Sequence, residues 1–333
     1  MAKVKKLRDT DYLYISANIR ALELKLVGRA KLERMLAAGE PGAALKILEE
    51  SGWRVSGVNS AAELENVFAE RRAEIFAELS AHVPNQALVD AFRVKYDYHN
   101  AKVLVKGAAA GIDGAHLLSG AGRVAPEKFK TAFAENKLSE LPPVLFAAVG
   151  EAIQVLAKTG DPQRADFVLD RAYFAEFRTL AELSGSEFLR KYVRLSADAA
   201  NLRSALRAKR SGQELFASLI DGGQAKAGDL IRGTETAEGF LALFNGTPLS
   251  PVLEAAAAVF RGAAFSEFEK QIDELLLSYL ASAKSDAFSE KPVVAYIGAI
   301  ENEIAAVRTV MSGLYGSLSA DLVRSRLRNG GAL

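Results

Sequence analysis

The chain has 333 residues, half of them hydrophobic and a quarter charged, with a formal net charge of +1 and no cysteine. A near-neutral chain sets up no global field to draw in nucleic acid or an anionic membrane, and without cysteine it can form no disulfide and perform no thiol catalysis. The length suits two or three domains. The most apolar stretch, Leu141 to Leu156, is broken by Pro142-Pro143 and Glu151 and falls short of the ~20 apolar residues a membrane span needs. The basic start Met1-Ala2-Lys3-Val4-Lys5-Lys6 leads into no apolar signal-peptide core, so the expectation is a soluble or peripheral chain.

Taken in chain order, the periodicity is helical. Ile15, Ile19, Leu22, Leu26, Ala30, Leu32 and Leu36 form one apolar stripe, which predicts a helix over 12–36 that Gly39, Pro41 and Gly42 end. A short helix over 43–50 follows. Ser60 and Glu63 then stand at capping-box spacing before a helix over 62–81. Further helices are predicted over 85–107, 126–136, 142–159, 161–183, 186–211 and 213–220. The last third adds 225–233, 236–244, 250–262, 265–284, 290–313 and 319–328. Strand alternation is nearly missing and good helix formers fill the chain, so the predicted class is all-α.

A long-range repeat overlies these helices. Asp97-Tyr98-His99-Asn100-Ala101-Lys102 returns 101 residues later as Asp198-Ala199-Ala200-Asn201-Leu202-Arg203, and more weakly as Glu303-Ile304-Ala305-Ala306-Val307-Arg308. Between the first two copies the same offset pairs Phe76 with Phe177, Leu79 with Leu180, Leu118 with Leu219, Gly122 with Gly223, and Phe129 with Leu230. After the third copy, Gly316-x-Leu318 is the expected counterpart of Gly122-x-Val124. Such a period is too long for a solenoid, and it implies three helical modules, here bounded as 10–125, 126–224 and 225–330. In that arrangement the N-terminal helix 12–36 would pack beside the third module and close the set.

Catalytic constellations are scarce. His82, His99 and His116 have no spacing that suits metal ligation. Gly120-Ala121-Gly122-Arg123-Val124-Ala125 has the letters of a dinucleotide fingerprint, but no strand precedes it, and a turn between helices is the better account. No Walker loop and no nucleophile elbow is present. Asp97 and Asn100 share a helix face, whereas Lys102 points elsewhere. A catalytic acid would not be expected to recur among otherwise different neighbours. Asp97, Asn100, Lys102, Asp198, Asn201, Arg203, Glu303 and Arg308 are therefore read as a structural motif tying helices to loops, with three ligand sites as the alternative.

With those residues in view, the chain resembles the C subunit of the V-type (A/V-type) rotary ATPases and ATP synthases, the homologue of the d subunit of eukaryotic V-ATPases. The resemblance rests on Tyr14-x-x-Ala17-x-Ile19-Arg20-Ala21-Leu22-Glu23-x-Lys25-Leu26-Val27, Asp97-Tyr98-His99-Asn100-x-Lys102, Asp170-x-x-Tyr173-Phe174 with Asp198-x-x-Asn201-Leu202-Arg203, and Glu303-x-x-x-x-Arg308 with Gly316-x-Leu318-Ser319. These anchors run from about residue 12 to 328. The third copy departs by carrying Ala306 in place of the asparagine.

The resemblance implies a funnel-like arrangement of three helical modules with no catalytic site, cofactor or metal of its own. It implies a socket on the cytoplasmic face of the membrane, between the central shaft subunits of D and F type and the membrane rotor ring, in a complex that moves protons or sodium. Leu117, Leu118, Phe240, Leu243 and Phe244 are candidate interface residues, with core packing as the alternative. An all-α adaptor for other partners is the rival function. A helical enzyme would have to build its site around Asp97, Tyr98 and His99.

Overall fold

The computed structural model describes residues 7–212, 215–233 and 236–328, and among them there is no strand. After a 3-10 turn and helix α1 (Leu13–Glu23) come α2 (Arg29–Ala38), α3 (Pro41–Glu50) and α4 (Ala61–His82), leading to the 25-residue helix α5 (Gln86–Ala110). Two further runs of helices follow, each leading to another helix of that length. Helices α6 (Pro126–Ala134), α7 (Pro143–Thr159) and α8 (Pro162–Ser184) lead to the 25-residue α9 (Glu187–Ser211). Helices α10 (Ala227–Gly233), α11 (Ala237–Ala242), α12 (Leu253–Phe260) and α13 (Phe265–Ala281) lead to the 25-residue α14 (Lys291–Tyr315), and α15 (Ala320–Arg326) follows.

Local chemistry sets these boundaries. The side chains of Asn85 and Ser186, 101 residues apart, accept from the first-turn N–H groups of α5 and α9, satisfying donors that the helix itself leaves open. The same two helices end on Gly111 (φ 66) and Gly212 (φ 68), left-handed positions that glycine adopts without strain. Pro126, Pro143 and Pro162 sit in the first turns of α6, α7 and α8, where proline's missing N–H costs no hydrogen bond.

Two predicted elements differ from the observed ones. The helix expected over 12–36 is two helices, because the chain leaves helical geometry between Glu23 and Arg29 and gives the Val27 N–H to Glu303. Of the helix expected over 213–220, residues 213–214 lie outside the described ones, and the remainder holds a 3-10 turn at Phe216–Ser218.

The chain forms two compact units. Among the described residues one is continuous, Asn85–Phe268, and the other joins residues 7–84 with 269–328. In the continuous unit α8 packs against α5, α7 and α9, and α9 also packs against α12. An aromatic seam of Phe92, Tyr98, Tyr173, Phe177 and Tyr192 joins α5, α8 and α9, with ring centroids 5.6–6.3 Å apart in edge-on and stacked pairs. In the discontinuous unit α14 is the core helix, packed against α1, α2, α3, α4 and α15. Its residues Val293, Val294, Ile297, Ile300, Ile304, Val307 and Val310 are all buried.

Phe177, 3% exposed, stands at the centre of the aromatic seam. Phe177→Ala is expected to lower unfolding free energy by about 3–5 kcal/mol, read as a reduced urea midpoint at unchanged slope.

Candidate functional site

The repeated carboxylates sit at matched places on the three 25-residue helices. In the first copy Asp97 is fully buried on α5. Its Oδ1 accepts the backbone N–H groups of Arg123 (2.9 Å) and Val124 (3.0 Å), and its Oδ2 accepts Arg123 Nε (2.7 Å). One turn on, Asn100 donates Nδ2 to Ser119 O (2.9 Å) and accepts Ser119 N–H on Oδ1 (2.8 Å). The second half of the loop after α5 is thus held, at Ser119 and at Arg123–Val124, by two side chains of one helix face. A methyl group on Gly122 would run into the Asp97 carboxylate, so the glycine is required by close approach.

The second copy reproduces this at the same offset. Asp198 accepts from the N–H groups of Gln224 (2.8 Å) and Ala225 (3.3 Å), and Asn201 exchanges both hydrogen bonds with Ile220 (2.8 Å each). A methyl on Gly223 would meet the Asp198 carboxylate. The copies differ in their cation. Arg123 bridges Asp97 and Glu176 (2.8 Å), and Tyr98 donates to the same glutamate (3.0 Å), whereas Gln224 stands in the place of Arg123.

The third copy is completed by the start of the chain. Glu303 Oε1, fully buried on α14, accepts Val27 N–H (3.0 Å), Trp53 Nε1 (3.2 Å) and Arg71 Nη2 (3.3 Å). Val27 lies two residues before α2, as Val124 lies two before α6 and Ala225 two before α10. The counterpart of the Gly122 loop is therefore the turn at residues 24–28 and not the expected Gly316-x-Leu318, which joins α14 to α15. Alanine at 306 also has a reason. The residue five before Val27, matching Ser119, is Leu22, whose carbonyl already accepts Lys25 N–H (3.0 Å) at the end of α1. An amide at 306 would have no loop group to hold.

Burial pushes the Asp97, Asp198 and Glu303 carboxyls above the usual carboxylate range. Arg123 opposes the rise at Asp97, the Gln224 and Ala225 N–H groups oppose it at Asp198, and Arg71 opposes it at Glu303. The motif cations lie outside the clamps. Lys102 pairs with Asp170 on α8 (2.6 Å), and Arg203 lies half-buried on α9. Arg308 pairs with Glu65 (2.6 Å) and lies over the Phe68 ring.

Sequence reasoning missed Arg123, Glu176, Val27, Trp53 and Arg71. Arg123, beside Gly122, and Glu176, beside Phe177, stood next to repeated positions, but the copies carry Gln224 and Ile75 at the matching places and so hid them.

The interface candidates separate by exposure. Leu117 is 55% exposed, at the tip of a 3-10 turn whose carbonyl contacts the His99 ring (3.1 Å). Ile112 in the same loop is 67% exposed. Leu118 and Leu243 are half-buried, while Phe240 and Phe244 are fully buried with ring centroids 5.5 Å apart. An apolar groove of about 690 Å³ lies along α5, α6 and α7, lined by Ala108, Ala109, Phe133, Ile153, Leu156 and Ala157. Among the described residues no group of three His, Asp or Glu could hold a metal ion, and no helix is long and apolar enough to cross a membrane. Gly120–Ala125 forms a turn closed on a buried carboxylate, the wrong charge to cradle a phosphate.

Residues 15–326 match the family described as ATP synthase (C/AC39) subunit. The C subunit of the V-type sodium ATPase of Enterococcus hirae is 24% identical over 327 residues, covering 96% of this chain and 98% of that protein. The C subunit of the A-type ATP synthase of Methanocaldococcus jannaschii is 24% identical over 95% of this chain and 86% of its own length. The C subunit of the V-type ATP synthase of Thermus thermophilus is 24% identical over 83% of this chain and 91% of its own.

Two substitutions gauge the clamps. Gly223→Ala is expected to lower the melting temperature clearly, whereas Gly120→Ala, with open space around the added carbon, is expected to change it little. Asp198→Ala leaves two loop N–H groups unpaired and is expected to cost roughly 1–3 kcal/mol in urea unfolding.

Proposed function

The chain belongs to the ATP synthase (C/AC39) subunit family, and from that premise we propose that it is a non-catalytic central-stalk subunit of a rotary V/A-type ATPase or ATP synthase. It acts as a socket that couples the shaft subunits of the soluble sector, of D and F type, to the rotor ring, peripherally on the cytoplasmic face of the membrane. The observation that carries this proposal is the match along nearly the whole chain, with relatives aligned over almost their full length. The ion, proton or sodium, is carried by other subunits; the Enterococcus hirae relative is named for a sodium ATPase.

The physics of a coupler fits the clamps. Torque passes efficiently only through a body that yields little, and helices packed at native density with loops pinned to them deform little. In this proposal each of three modules is a 25-residue helix whose buried acid holds the loop entering the next set of helices, and the N-terminal segment closes the third. The eight motif residues Asp97, Asn100, Lys102, Asp198, Asn201, Arg203, Glu303 and Arg308 then serve the scaffold and not a ligand. A threefold scaffold on a ring of different symmetry cannot repeat one salt bridge at every ring subunit. Apolar adhesion suits it better, and Leu117 on its pinned loop is the favoured contact, ahead of Leu118 and Leu243. Phe240 and Phe244 are assigned to the core.

Purified chain mixed with the shaft subunits is expected to co-elute as a stable complex on size exclusion, and separate elution would overturn the socket. Leu117→Glu is expected to leave unfolding free energy within about 0.5 kcal/mol, as an exposed site allows, while weakening association with the solubilised ring. Calorimetric titration with Mg-ATP is expected to give no saturable heat; binding to a single site would restore an enzymatic role.

A further inference from the structure

From the geometry around Glu303 we infer that this residue is a latch, holding the N-terminal strap of the discontinuous unit onto that unit's α14, and that this seam opens before the continuous unit does. The three clamps are not equivalent. Asp97 and Asp198 bind loop groups 26 and 27 residues away, and each has an asparagine clamp beside it. Glu303 binds groups 276, 250 and 232 residues away and has alanine where the others carry asparagine. Releasing this seam with the continuous unit still folded frees residues 7–84 as one segment, whereas releasing the Asp97 or Asp198 clamp frees a single loop, so more chain entropy is regained here.

Beside the latch, the largely buried pair of Arg72 with Glu301 (3.3 Å) crosses the same seam, and the other polar ties there are weaker. Arg308–Glu65 and Arg324–Glu33 are partly exposed ion pairs of the kind that contributes little in water. Arg20 donates to the carbonyls of Lys284 and Asp286 (2.7 Å each) at the edge of the unit. Release is all-or-none for a physical reason. Once Val27, Trp53 and Arg71 withdraw, a carboxylate fully enclosed on α14 would be left without a donor, which is costly unless water reaches it. Partial opening is therefore disfavoured, and the strap is either seated or away.

The molecule carries its own reporter. Trp53 is the single tryptophan in the sequence; it is 3% exposed, donates to Glu303, and lies beneath the Arg71 guanidinium. Opening the latch moves that indole into water and shifts its emission to longer wavelength.

The test is urea unfolding of the full chain, followed by Trp53 emission and by far-ultraviolet circular dichroism. The emission shift is expected at lower urea than the main loss of helix. Glu303→Gln, which sets an amide N–H₂ against the donors, is expected to move the emission midpoint lower and leave the later helical transition in place. Asp198→Asn is expected to do the reverse. Should Glu303→Gln fail to fold, Arg71→Gln keeps both carboxylate and indole, and is expected to give a smaller shift of the same sign. Coincident emission and helix transitions in the unmodified chain would overturn the inference. So would an emission midpoint that neither Glu303→Gln nor Arg71→Gln moves.

Discussion

A buried carboxylate that accepts the backbone N–H groups of a loop is the interaction on which the rest of this molecule depends. It solves two problems at once. The loops that follow α5 and α9, and the turn that precedes α2, leave backbone donors facing the interior with no helical partner. The helix, for its part, carries an acid that could not remain charged there alone. Bringing them together satisfies both, and the geometry then dictates further residues: glycine where the loop crosses the carboxylate, and asparagine one turn on where the loop backbone offers a donor and an acceptor together.

The three instances show how far a fixed constraint tolerates different neighbours. At Asp97 the charge is shared with Arg123 and, through it, with Glu176 and Tyr98 on an adjoining helix, so the first clamp also ties α5 to α8. At Asp198 backbone N–H groups take the carboxylate without a guanidinium. At Glu303 the acid is one methylene longer and reaches an indole, a guanidinium and one backbone N–H from the far end of the chain. Such polar ties add direction to apolar packing that would otherwise allow helices to slide, and resistance to sliding is what the proposed coupling role requires.

Much of this was legible in the residues. The helical class followed from the periodicity, because a 3.6-residue stripe survives any tertiary arrangement. The first two clamps were legible as a spacing, since Asp97, Asn100 and Gly122 reappear together at one offset and only a shared geometry keeps all three. The third was not, because its loop lies 276 residues from Glu303 in the chain and cannot be aligned to it by offset. The break at 24–28 was hidden for a related reason. Leu22 and Leu26 continue the apolar stripe of α1, and the partner that draws Val27 out of helical geometry is remote. Phe240 and Leu117 illustrate a different limit: an apolar residue in a short segment reads the same whether it fills a core or meets a partner, and only the fold separates a fully buried ring from a leucine at the tip of a turn.

In the proposed role, a scaffold with pinned loops has its effect through what it connects. The most direct measurement is ion transport driven by ATP in liposomes carrying the complete rotary complex, compared with a complex assembled without this chain. Coupling through this chain predicts that the soluble sector keeps hydrolysing ATP while ion transport is lost, and that adding back the purified chain restores transport. Transport that persists without the chain, or hydrolysis by the detached soluble sector that fails without it, would contradict that role.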